Sequence, residues 1–147
     1  MNTQKVLTGG LVLTVVATVA PLIDLATVDV IGDHVRSAYP DWPASEVAKD
    51  RTAISAYLVA VGVLGIVGWV WTLAGVSRGK RSARWVGTTF FALGALIALT
   101  DVSIGGEGYS TIVPLLHGLL GLLPVLAGLV AVVGLWRQPV AHTSRVT

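Results

Sequence analysis

The 147-residue chain contains no cysteine, which excludes disulfides, thiolate nucleophiles, Cys-ligated zinc, iron–sulfur clusters and c-type haem attachment. Charge is scarce too. Only 12% of residues are Asp, Glu, Lys or Arg, while 54% are hydrophobic, against about 25% charged in ordinary soluble domains. That balance excludes a disordered chain and a nucleic-acid-binding domain. Of three histidines only His117 falls inside an apolar stretch, so a haem held between helices by paired axial ligands is unsupported. There is no GxSxG, no HExxH and no pair of carboxylates at catalytic spacing on one helical face. Asp33, His34, Asp41 and Glu46 match no metal-ligand spacing and read as solvated loop charges. The expectation is a protein without catalytic chemistry, metal or cofactor.

What the chain has instead is long apolar runs, with a mean hydropathy of +0.78. A helix needs about 20 mainly apolar residues to cross a hydrocarbon core of roughly 30 Å. Four stretches qualify, predicting a single all-α domain over 1–147, a bundle of four transmembrane helices. They are expected over 6–28, 54–76, 85–104 and 111–136, with an outer loop over 29–53. The third is the shortest, reaching a full span only if it continues through Asp101 to Ile104. The first could be mistaken for a cleavable signal peptide, but its uncharged run from Val6 to Ile23 exceeds a signal's apolar core of about 7–15 residues. A retained helix is expected.

Basic residues concentrate on the cytoplasmic side of membrane proteins. With the N-terminus inside, Lys5, Arg78, Lys80, Arg81, Arg84, Arg137 and Arg145 fall inside, and Arg36, Lys49 and Arg51 outside. All eight acids then lie at the outer end. Both termini are therefore expected to be cytoplasmic, in a multi-pass protein of the plasma membrane whose solvent is the lipid bilayer. The stretch Leu22–Asp33 echoes Leu96–Glu107 with gaps, and Gly62–Gly65 echoes Gly118–Gly121, so the chain reads alternatively as one helical hairpin used twice in parallel.

Helices associate in lipid through small residues, because lipid tails solvate Leu as well as a neighbouring helix does. Gly65, Gly68, Gly87, Gly94, Gly121 and Gly128 fall on such stripes and are expected to be helix-packing positions. The same stripes carry Asp24, Asp101 and His117. Counted from the basic boundary at 1.5 Å per residue, these three lie about 29, 26 and 30 Å away, on one level. Asp24 and Asp101 sit toward the negative ends of their helices, where a carboxylate needs a partner or a proton. A hydrogen-bonded Asp24–His117–Asp101 cluster is the candidate polar site. The competing reading is hydrated interfacial carboxylates and a histidine bonded to backbone.

The plan, an outer loop with Tyr39-Pro40 and a Gly- and Trp-rich second helix leading to Arg78-Gly79-Lys80-Arg81, resembles small four-helix bacterial integral membrane proteins. The resemblance covers most of the chain and implies an architecture but no activity. The membrane-embedded Glu expected in the first helix of small multidrug exporters is absent. The leading expectation is a non-enzymatic accessory component acting through helix packing, as a homo-oligomer or with a membrane-protein partner and without nucleic acid. The alternative is a proton- or cation-coupled transporter or channel for a small solute, using the Asp/His cluster.

Overall fold

The computed structural model describes residues 2–137. Arg145, assigned to the inner side above, lies outside the described residues. Five helices follow one another: α1 Thr3–Ala26, α2 Val30–Ala38, α3 Ala44–Ser77, α4 Ser82–Ser103 and α5 Leu115–Arg137. Among the described residues there is no strand, only an isolated bridge between Gly106 and Tyr109. Helices α1, α3, α4 and α5 are each long and apolar enough to cross a bilayer. Their apolar residues run all round rather than along one stripe, as in helices whose outer faces meet lipid.

The four long helices form an antiparallel ring in which α1 packs on α3 and α5, and α4 packs on the same two. The diagonal pairs α1/α4 and α3/α5 do not pack together. Two hairpins related by an axis along the bundle would give this ring. Trp69 Nε1 on α3 donates to Thr14 Oγ1 on α1 at 2.7 Å, and Trp136 Nε1 on α5 donates to Thr88 Oγ1 on α4 at 3.0 Å, the same bond in each hairpin. Both threonines also donate to their own i−4 carbonyls at 2.8 Å, which leaves the hydroxyl oxygen free to accept the indole proton.

Helix ends follow local rules. Pro114 biases Val113 away from helix, so α5 starts at Leu115 rather than at 111, and the Pro114 carbonyl accepts the Gly118 N–H at 3.0 Å. At 34 residues, α3 is about 51 Å long, well beyond a hydrocarbon thickness of about 30 Å. Its first turns therefore extend beyond the length of a span and pack on α2, which forms unexpectedly in the segment expected as an outer loop. Ile31 and Val35, one turn apart, are fully buried against Val47 and Ile54 of α3. Asp33, Arg36 and Ser37 point outward. Tyr39 ends the helix because Pro40 disfavours a helical residue before it. In the α4–α5 loop the left-handed residue is Glu107, φ 41°, and not one of the glycines around it.

The glycines divide into two kinds. A Cβ at Gly68 would strike Phe90, one at Gly128 would come within 2.9 Å of Phe91, and one at Gly65 within 3.0 Å of Thr14. At Gly87 it would meet Leu135 at 3.0 Å and Thr72 at 3.1 Å. These four are sites of close helix approach. Gly94 and Gly121 differ from the expectation, since a Cβ at either would meet nothing within 4 Å. Both face the cavity described below. Gly10, on the small-residue face of α1, meets Trp69, and Gly62 against Thr18 is a further close approach that the stripe pattern left unassigned.

Candidate functional site

Asp24 lies in the last turn of α1 and is 7% exposed. Its two carboxylate oxygens accept the backbone N–H groups of Val30 at 2.9 Å and Ile31 at 3.0 Å. Those amides open α2, where the first N–H groups have no partner within the helix. The residue at the usual capping position, Asp29, makes no cap bond. Its carboxylate instead receives Arg36 at 3.0 Å and Arg51 at 2.9 Å. Asp24 is thus a capping residue acting from another helix. Replacing it with Ala is expected to cost about 1–2 kcal/mol, read as lost amide protection at Val30 and Ile31 with protection in the long helices unchanged.

Asp101, near the end of α4, accepts the Tyr57 hydroxyl of α3 at 2.8 Å. His117, in the first turns of α5, is 6% exposed and its Nδ1 is buried without a hydrogen-bond partner. The three residues stand at one end of the bundle, but the two carboxylates bond elsewhere and no Asp24–His117–Asp101 chain forms. Tyr57 is the partner that sequence alone left unassigned to Asp101.

Asp101 and His117 line an elongated cavity of about 150 Å³ on the bundle axis. Along α3 it runs from Leu58 to Thr72, about 21 Å at 1.5 Å per residue. Its wall is apolar apart from this end and from Thr14, Trp69 and Thr72. It exists because the diagonal helices stay apart and because Gly94 and Gly121 put no side chain into the gap.

Above the cavity sits a polar cap. Tyr109, in the α4–α5 loop, donates its hydroxyl to Asp50 of α3. It stacks on His34 at 5.1 Å and meets Tyr39 edge-on at 5.2 Å. His34 Nε2 lies 2.8 Å from the Thr111 carbonyl oxygen, an acceptor only, so this nitrogen carries the proton. Tyr39 in turn stacks on Trp42 at 3.9 Å. Of the loop residues weighed for a metal, Asp33 pairs with Arg36 and Glu46 with Lys49. Among the described residues no group of three or more His, Cys, Asp or Glu side chains could hold a metal ion.

The cap titrates at both ends of the pH scale. Burial opposes the charge of Asp29, but its bonds to Arg36 and Arg51 outweigh burial and hold its pKa below the usual value. Its contribution is complete above the ordinary carboxylate pKa and is lost as pH falls through the lowered one. Burial, then the bond to Asp50, pushes the Tyr109 phenol up. Its contribution is complete below the ordinary tyrosine pKa of about 10 and is lost as pH rises through the raised one. Amide protection factors in α2 are expected to be greatest from about pH 4 to 10 and to fall on both sides.

No protein-family model matches the chain, and neither a curated protein nor a solved structure matches it.

Proposed function

We propose that this chain is a small multi-pass component of the plasma membrane, with both termini cytoplasmic, that performs no covalent chemistry and works by helix packing with a second copy of itself. The observation that carries this reading is where the acidic groups are spent. Asp24 caps α2, Asp29 holds two arginines, Asp50 holds Tyr109 and Asp101 holds Tyr57. A structural bond accounts for each, while the apolar outer faces of the long helices remain open. Helix α4 is the most open, with 11% of its most apolar stretch buried against 28% for α1 and α5.

Its outward strip of Thr89, Ala92, Leu96 and Leu99 combines small and large residues at helical spacing, the composition that lets helices approach in lipid. A two-fold axis along the bilayer normal would bring Ala92 onto its own counterpart. The absence of native cysteine makes the test direct. Ala92→Cys is expected to form an oxidised dimer in native membranes, whereas Leu126→Cys on the outward face of α5 stays monomeric. Ala92→Cys remaining monomeric, or both thiols dimerising equally, would overturn the reading.

A second reading, a proton- or cation-coupled carrier or channel, rests on Asp101 and His117 sharing the axial cavity. On that reading Asp101→Asn and His117→Ala each abolish flux driven by a pH gradient in proteoliposomes. Flux that survives both removes their role, and absence of flux in the unaltered protein removes the reading.

A further inference from the structure

We infer that the axial cavity is a binding site for one single-chain amphiphile drawn from the bilayer, with a slender apolar tail and a hydrogen-bond-donating head that carries no negative charge. The inference goes beyond self-association and needs neither dimerisation nor flux.

The tail follows from shape. A cavity of about 150 Å³ drawn out over about 21 Å is narrow. An apolar cavity of that volume stays dry and takes up small hydrocarbons. Its length and its Phe90, Phe91 and Val125 walls suit an alkyl or prenyl chain lying along the axis, and its narrowness excludes a bulky ring system.

The head follows from the polar end. His117 lines this end, but its Nδ1 presents no surface to the cavity, so the polar group that a ligand can reach is Asp101. The Asp101 carboxylate accepts, and Tyr57 occupies only its Oδ1. An open carboxylate oxygen at the end of an apolar tube calls for a donor, a hydroxyl or an ammonium. A carboxylate or phosphate head would meet the charge of Asp101. The cavity thus sorts amphiphiles by head.

The test uses full-length protein in lipid nanodiscs and three dodecyl probes with a photoreactive diazirine in the chain, ending in hydroxyl, ammonium or carboxylate. After illumination, adducts are mapped by mass spectrometry. The hydroxyl and ammonium probes are expected to label cavity-lining positions such as Phe90 and Val125, with labelling displaced by excess dodecanol. The carboxylate probe should label them about tenfold less, the margin of one lost charge-assisted bond. Gly121→Leu fills open space and should block cavity labelling while leaving thermal unfolding unchanged. Gly94→Leu does the same from α4 if the first variant misfolds. Asp101→Leu should reduce hydroxyl-probe labelling severalfold. Equal labelling by all three heads, adducts confined to lipid-facing residues, or undiminished cavity labelling in a folded Gly121→Leu or Gly94→Leu protein would each overturn the inference.

Discussion

Gly68→Leu is expected to break the bundle, with a loss of about 3 kcal/mol, the upper end of what overpacking costs, and thermal unfolding in detergent should register it. A Cβ alone would strike Phe90 at its ring and come within 3.0 Å of its Cβ, so the clash lies near the α4 backbone, where a side-chain rotation gives no relief. The α3–α4 contact must then open. In lipid no hydrophobic effect restores it, since helix association there depends on close packing. Gly121→Ala is the control. It enters empty space and replaces the poorer helix former, so it should be neutral or stabilising by up to about 1 kcal/mol. Two glycines on equivalent stripes should thus respond with opposite sign.

Tyr109→Ala is expected to release the cap while leaving the four long helices in place. The substitution removes the stack on His34, the edge contact with Tyr39 and the bond to Asp50 together. Loss of a large aromatic anchor costs about 3 kcal/mol at the low end of its range, fitting a side chain that is only part-buried. Tyr109→Phe keeps both ring contacts and loses one hydrogen bond, so about 1 kcal/mol is expected. Hydrogen exchange should show α2 and the first turns of α3 unprotected in the alanine variant and nearly normal in the phenylalanine one. Loss of protection throughout α5 in either would mean that the cap and the bundle are one cooperative unit.

The spans were legible because bilayer thickness imposes a length that apolar runs must meet, and four runs met it. Helix α2 was not, because its pattern lasts only nine residues, between Asp29 and Pro40. Ile31 and Val35 one turn apart, with Asp33 three residues before Arg36, were the signal that could have found it. Asp24 was recognised as buried and in need of a partner. Its partners are backbone amides six and seven residues later, brought round by a left-handed Asp29 at φ 57°, and no side-chain pairing rule reaches them. The glycine stripes show a different limit. Spacing says that Gly68 and Gly121 face inward, but only the neighbour's size decides whether an inward glycine admits a helix or leaves a hole. Phe90 fills the first place, and nothing fills the second.

Single-cysteine accessibility reads most directly whether lipid is the solvent of this fold, because the chain has no cysteine of its own. Leu64, Leu96 and Leu126 are 61%, 64% and 61% exposed on the outer faces of α3, α4 and α5, whereas Asp41 and Gly79 lie in the connections at opposite ends of the bundle. In membranes opened to both sides, thiols at 41 and 79 should react fully with a charged maleimide. Thiols at 64, 96 and 126 should stay unreacted until detergent or denaturant removes the bilayer. Full aqueous reaction at those three positions with the membrane intact would contradict the bilayer-spanning bundle.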